Sequence, residues 1–252
     1  KNSNLATLET LNCDYQLIDT EEKRTKIIQK LLTSKILSLD TETTGTEPMD
    51  AELVGMSFSI AENEAFYVPV PADQEEALKI VNEFRPVFEN ENSLKVGQNI
   101  KYDMIVLQNY GVQVKGPLFD TMIAHYVLQP ELRHGMDYLA EIYLRYQTIH
   151  IDELIGPKGK NQKNMRDLAP KDVYRYACED ADVTLKLKNV LEKELKENDA
   201  ERLFYDIEMP LVPVLVNIER NGVLLDTEAL KQSSAHFTAQ MENIEKEIYE
   251  LA

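Results

Sequence analysis

The stretch Lys35-Ile36-Leu37-Ser38-Leu39-Asp40-Thr41-Glu42-Thr43 carries the decisive pattern of this chain. Its aliphatic run predicts a strand over residues 35–40. Strand side chains alternate between faces, so Asp40 and Glu42 emerge on the same side. Two acids sharing one face at a strand end are candidate ligands for a hard cation. A turn beginning there, with Thr43, Thr44 and Gly45 supplying its chemistry, is the plainer alternative.

Further strands are expected at residues 53–60 and 65–70, separated by Gly, Pro, Asn and Asp, so the three runs read as a meander. Ahead of them lie a strand at 14–18 and a helix from Thr20, a candidate cap, through Ile27, Ile28, Leu31 and Leu32. Downstream, Leu78, Val81, Phe84, Val87 and Phe88 follow helical spacing, and a brief strand covers 94–96. Helices are expected at about 103–109, 121–128, 136–146 and 171–197. This order predicts an α/β domain of two or three layers, a mixed β-sheet flanked by helices. Beyond residue 200 come helical segments at 201–220, kinked by Pro210 and Pro213, and at 226–251, joined by Asn221-Gly222. The last carries Ile244, Ile248 and Leu251 on one stripe. Residues 1–200 are therefore expected to form one domain, and 201–252 a helical piece of a second.

The 252 residues are 43% hydrophobic and 28% charged, a globular composition. No apolar run approaches the roughly 18–20 residues of a membrane span, and the first residues lack a signal-peptide pattern. Cys13 and Cys178 stand far apart without zinc-type spacing, which fits a reducing, cytoplasmic setting. The first residue is Lys rather than Met, as expected of a piece of a longer chain. A net charge of −17 argues against a broad basic surface for nucleic acid, but such acidity also furnishes oxygen ligands for divalent cations.

Two further carboxylates stand out. Positions 173, 177, 180, 184, 187 and 191 follow the spacing of a buried helical stripe and read Val, Ala, Asp, Thr, Leu, Leu. Asp180 thus falls on the inward face with Tyr176 one turn earlier, whereas Glu179 and Asp182 fall on other faces and are expected in solvent. A buried carboxylate needs a cation, a hydrogen-bond network or a wet cleft, and a Tyr-to-Asp hydrogen bond alone would serve. In Asn99-Ile100-Lys101-Tyr102-Asp103, Asn99 is a candidate helix cap, and Asp103 occupies a first turn that favours an acid with or without chemistry.

Together the segments Leu39-Asp40-Thr41-Glu42-Thr43, Gln98-Asn99-Ile100-Lys101-Tyr102-Asp103 and Tyr176-Ala177-Cys178-Glu179-Asp180 resemble, in order and spacing, the three motifs of the DnaQ-like (DEDD) exonucleases. The Tyr-x-x-x-Asp form of the third is that of the DEDDy branch. Val96-Gly97-Gln98-Asn99, Phe119-Asp120-Thr121-Met122, Gly159-Lys160-Asn161-Gln162, Glu208-Met209-Pro210-Leu211-Val212-Pro213-Val214-Leu215 and Ile218-Glu219-Arg220-Asn221-Gly222-Val223 further resemble the proofreading domains of the bacterial DNA polymerase I family, over nearly the whole chain. The resemblance implies an RNase H-like mixed sheet and, from about residue 201, the start of a truncated polymerase domain. It implies metal-dependent 3′-5′ hydrolysis of DNA ends, releasing nucleoside 5′-monophosphates.

By that resemblance Asp40, Glu42, Asp103 and Asp180 hold two divalent ions, Mg²⁺ or Mn²⁺. Asp40 bridges them, Glu42 and Asp180 complete the ion that activates water, and Asp103 serves the other. Tyr176 orients the water with Glu42. Gln98, Asn99, Tyr102 and Arg133 are the implied substrate-binding residues, against capping, packing and a lone surface arginine as alternatives. Lys158, Lys160, Lys163 and Arg166 form a basic loop, either touching the strand or solvated. The implied partners are a single-stranded or frayed DNA 3′ end and a polymerase domain, with the protein a monomer and no membrane involved. Thr46 and Ile151 depart from the family's leucine and stacking aromatic, which weakens the expected hold on the terminal base. The rivals are an RNA 3′-end exonuclease of the same superfamily, a catalytically silent scaffold, and an acidic cation-binding module. The segment 208–223 opposes the first, the intact carboxylates the second, and the Tyr-x-x-x-Asp helix the third.

Overall fold

Strand β2 (Ile36–Thr43) is an inner strand of a six-stranded sheet in the computed structural model, which describes residues 5–159 and 161–251. It pairs antiparallel with β3 (Leu53–Ala61), which pairs antiparallel with β4 (Glu64–Pro69), giving the expected meander. β1 (Asp14–Leu17) lies parallel to β4 at one edge. On the other side β5 (Leu94–Gly97) runs parallel to β2, and β6 (Leu118–Asp120) parallel to β5. The order is β1-β4-β3-β2-β5-β6, so the sheet is mixed. β6 escaped the sequence reading because three residues are too few to show an alternation.

Helix α1 (Glu21–Leu32) begins where its cap predicts, Thr20 accepting from the Lys23 amide, and α2 (Gln74–Glu83) is capped by Asp73, which accepts from the Glu76 amide. α3 (Arg85–Phe88), α4 (Ile100–Asn109) and α5 (Thr121–Leu128) follow. The helix expected over 136–146 is instead α6 (Met136–Leu139) running into a π-helical turn (Ala140–Leu144), closed by Arg145 in the left-handed region at φ 54°. After α7 (Ile151–Ile155) comes the longest helix, α8 (Pro170–Glu197), with Pro170 at its first position, where no amide donor is needed. α9 (Glu201–Leu203) passes through a second π turn (Phe204–Glu208) into α10 (Met209–Asn221). Pro210, which has no amide to donate, follows directly on that widened turn.

The two faces of the sheet differ in the size of their side chains. Leu37 and Leu39 of β2, Phe58 opposite Leu39, and Phe66 opposite Phe58 share one face and are buried. Phe58 stacks on Phe84 after α2, ring centroids 5.4 Å apart. The other face carries Ser38, Asp40 and Glu42 opposite Ser59, Ser57 and Gly55. These small residues admit α8, which contacts β1 through β5 and buries Ala177 and Ala181 completely. A Cβ on Gly55 would meet the Tyr67 ring at 2.3 Å, so only glycine fits there.

The described residues form two units, divided between Asn217 and Ile218. The core of the first includes Phe204, Met209, Val212 and Val216, with Phe204 against Phe119 at 4.8 Å. The second holds α11 (Thr227–Leu251), along which Phe237, Met241, Ile244 and Ile248 are exposed. No helix among the described residues is long and apolar enough to cross a membrane.

Asp120, at the end of β6, joins the sheet to both neighbouring helices. Its fully buried carboxylate accepts from the amides of Asn99 (3.2 Å) and Ile100 (2.8 Å) at the start of α4, and of Met122 (2.9 Å) and Ile123 (3.1 Å) in α5. Asn99 does not cap α4 with its own side chain, contrary to expectation. It sits at φ 61°, and the distant Asp120 does the capping. Asp120→Ala removes two caps at once, and the expected loss is about 1–4 kcal/mol, read as a lower urea midpoint with an unchanged slope.

Candidate active site

Because β2 and α8 approach closely, Asp40, Glu42 and Asp180 each offer a ligand oxygen within 4.8 Å of the others. Glu42 and Asp180 are buried, and Asp40 is partly open. Asp103 enters from the first turn of α4 and is tethered to the same strand. Its Oδ1 accepts from the Thr41 amide (2.9 Å) and the Thr41 hydroxyl (2.6 Å), so it lies beside the residue between the two β2 acids. Tyr176, one turn before Asp180 on α8, hydrogen-bonds to it. The sequence-derived set Asp40, Glu42, Asp103, Tyr176 and Asp180 is thus assembled from one strand and two helices.

Burial and mutual repulsion dominate the electrostatics. Burial pushes the Asp40 carboxyl up to about 6. Glu42 is raised well above the usual range by burial, then by Asp40 and Asp103. Asp180 is raised by burial and by Asp40, Glu42 and Glu179, against the Tyr176 hydroxyl, which lowers it. Asp103 is raised by burial and Asp40, against the Thr41 donors. Burial and the surrounding carboxylates also raise the Tyr176 phenol far above its ordinary value, so it stays a neutral donor.

This arrangement fits a hard divalent cation. The donors are all carboxylate oxygens, and Glu42 Oε1 is buried with no hydrogen-bond partner among the described residues. Glu42 lines a cleft of about 700 Å³. Residues 41–46, Asn99 and Tyr102 line it, together with α7 and the loop after it, including Ile151, Lys158 and Lys163.

The candidate substrate residues separate by position. Asn99 and Tyr102 line the cleft, and the Tyr102 hydroxyl meets the Thr43 hydroxyl and the Gly45 carbonyl. Gln98 does not line it: its amide donates to the His134 carbonyl at 2.7 Å and accepts from the Thr121 hydroxyl. Arg133 is exposed on the loop before α6, outside the cleft lining. Thr46 and Ile151, the two departures from the family pattern, both face the cleft. Lys160 lies outside the described residues. Arg166 is turned inward, donating to the carbonyls of Val70 (2.5 Å) and Leu53 (2.7 Å).

Glu179 and Asp182 are fully buried, contrary to the expectation of solvent. Glu179 accepts from the Tyr146 hydroxyl (2.5 Å) and the Ile149 amide (2.6 Å). Asp182 accepts from the Tyr15 hydroxyl (2.7 Å), the Asn63 amide (2.8 Å) and Lys186 (2.8 Å). Helical periodicity missed them because most of these partners come from remote segments, and they grip α8 on the sides that the stripe leaves polar.

The raised carboxyls ionise at higher pH folded than unfolded, where they lie near 3.8 and 4.5. Their contribution to stability is therefore present below about pH 4 and is lost as pH rises through about 6 and beyond. In EDTA at pH 8, Glu42→Gln and Asp180→Asn are each expected to melt about 2–8 °C above the parent, as about 1–2 kcal/mol of relieved repulsion implies. The gain should shrink at pH 5 and reverse against the parent in Mg²⁺, measured by differential scanning fluorimetry.

Comparison with known proteins agrees with this geometry. Residues 15–196 match the family model described as 3′-5′ exonuclease. DNA polymerase I of Borreliella burgdorferi is 35% identical over 245 residues, 96% of this chain and 26% of that protein. DNA polymerase I of Pseudomonas aeruginosa is 37% identical over 249 residues, 95% of this chain and 27% of that protein. The chain thus spans about a quarter of the length of the curated relatives it matches. Among solved structures, the polymerase domain of Pol1 from M. smegmatis, in complex with DNA primer-template and dNTP, superposes with a TM-score of 0.72 at 17% identity, covering 90% of this chain and 36% of that one. Brucella melitensis NrnC does so at 0.65 and 19% identity, covering 84% and 94%. Those likenesses speak for the fold, an RNase H-like sheet with flanking helices. With the family match spanning the strand and both helices that bring the acids together, this chain belongs to the 3′-5′ exonuclease family.

Proposed function

We propose that the chain is the proofreading part of a DNA polymerase I-like protein and removes nucleotides from DNA 3′ ends as nucleoside 5′-monophosphates. The observation that carries this reading is the convergence of Asp40, Glu42 and Asp180, with Asp103 tethered beside them, next to a cleft of about 700 Å³ that Glu42 lines. The DNA polymerase I relatives favour DNA over RNA as the substrate. The four carboxylates would hold two divalent ions, Mg²⁺ or Mn²⁺, which when bound activate the attacking water and stabilise the departing 3′ oxygen.

Tyr176 acts as a neutral donor, orienting the water together with Glu42; its raised phenol excludes it as a base. Asn99 and Tyr102 position the terminal nucleotide from the cleft wall. Gln98 supports them from behind through Thr121 and the His134 carbonyl, and Arg133 meets a phosphate from its exposed loop. Residues 1–200 make up the exonuclease domain. Residues 201–252 begin the polymerase domain, with Phe204, Met209, Val212 and Val216 packing back onto the exonuclease core. The protein is taken as a cytoplasmic monomer whose partners are the frayed 3′ end and the polymerase domain that delivers it.

A 5′-labelled single-stranded oligonucleotide with Mg²⁺ or Mn²⁺ should shorten in a ladder from its 3′ end. EDTA should abolish the ladder, and Asp40→Ala should slow it by about a hundredfold or more, as losing about 2.7 kcal/mol of transition-state stabilisation would. A folded, metal-supplied chain that leaves the oligonucleotide intact would favour the scaffold reading. Restoring a stacking surface with Ile151→Phe should lower KM about fivefold or more, since base stacking on an aromatic contributes about 1–3 kcal/mol.

A further inference from the structure

A strand end carries one negative charge per nucleotide, and this chain carries a net −17, so the cleft must find cations for the phosphates that the carboxylate site does not take. Among the described residues, the basic side chains lining the cleft are Lys158 and Lys163. Both are exposed, and neither forms a side-chain hydrogen bond or ion pair with another described residue. Arg166, in the same basic run, is instead committed to the Val70 and Leu53 carbonyls. Neither lysine pairs with Asp40, Glu42, Asp103 or Asp180 among the described residues, so both ammonium groups are left open to phosphates other than the one that carboxylate-held ions would take.

The loop that carries them is held in place. The Lys163 amide donates to the Ile155 carbonyl at 2.8 Å, and the Gln162 side chain to the Gly156 carbonyl at 3.2 Å. The Asn164 side chain donates to the Thr44 carbonyl at 2.6 Å, tying the loop to the β2 end that carries Glu42. Residues 156–164 contain no acid, so nothing within the loop competes for the two ammonium groups. Residues 162–164 are anchored while the ammonium groups of Lys158 and Lys163 are left unpaired among the described residues, which suits a surface that grips a phosphate chain without reading its bases.

We propose that Lys158 and Lys163 hold the phosphates upstream of the scissile bond and so set the grip on a single strand, a role that rests on the exonuclease reading above. They are positioning residues rather than participants in bond cleavage.

The test compares the full chain with Lys158→Ala, Lys163→Ala, the double variant and the Lys→Arg counterparts on two substrates in Mg²⁺. One is a single-stranded oligonucleotide. The other is the p-nitrophenyl ester of thymidine 5′-monophosphate, which has a scissile phosphodiester but no upstream phosphate. The double variant should lose about tenfold or more in kcat/KM for the oligonucleotide relative to the ester, through KM, and the arginine variants should restore most of it. The slope of log kcat/KM against log salt should flatten by about 0.7 per lysine that contacts a phosphate. Equal losses on both substrates, or an unaltered KM and salt slope, would overturn the proposal. A parent chain that cleaves neither substrate would overturn the exonuclease reading itself, and this role with it.

Discussion

Like charges held together against their repulsion are the constraint around which this fold is built. Asp40, Glu42 and Asp180 present oxygens within 4.8 Å of one another in a largely buried setting. Without a cation such an arrangement destabilises the fold, and the raised carboxyls express that cost in protons. The surrounding structure must therefore supply enough rigidity to keep three repelling groups in register. It does so chiefly with buried hydrogen bonds, joined by the Lys186–Asp182 ion pair on α8.

Helix α8 shows how. Asp180 and Tyr176 face the site only if the helix is held at one rotation about its axis, and Glu179 and Asp182 hold it there. Tyr146 and the Ile149 amide bind Glu179 on one side, while Tyr15, Asn63 and Lys186 bind Asp182 on another. Small residues on the facing sheet, Ser57, Ser59 and Gly55, let the helix come close enough for Asp180 to meet Asp40 and Glu42. Asp120 does the corresponding work for α4, anchoring the helix start from which Asp103 reaches Thr41. The acids thus differ in how they are satisfied: Glu179, Asp182 and Asp120 are held by donors from other elements and position helices, Asp103 is held by Thr41, and Glu42 Oε1 is left without a donor among the described residues.

The cleft extends this division. Glu42 at one end of it keeps an oxygen without a donor among the described residues, while Gln162, Lys163 and Asn164 tie the neighbouring loop to Gly156, Ile155 and Thr44, and Lys158 and Lys163 line the cleft. In the proposed exonuclease a strand end would meet carboxylate-held ions at one end and these two lysines along the lining. Ile151 and Thr46 are non-aromatic, which leaves Tyr102 as the aromatic ring in the lining among the described residues.

Much of this was legible in the sequence. Alternation along residues 36–42 put Asp40 and Glu42 on one face, helical spacing put Asp180 inside with Tyr176 a turn away, and cap chemistry located α1, because these signals are local and repeat within a few residues. The register that sets small residues opposite the acids, the burial of Glu179 and Asp182, the capping of α4 by Asp120 in place of Asn99, and the inward turn of Arg166 were not legible. Each depends on partners from over a dozen to more than a hundred residues away. The sequence by itself picked out the candidate acids and the elements on which they lie. The tertiary structure alone decided which donors each acid finds, and that Glu42 Oε1 finds none among the described residues, since that depends on groups that only folding brings within hydrogen-bond reach.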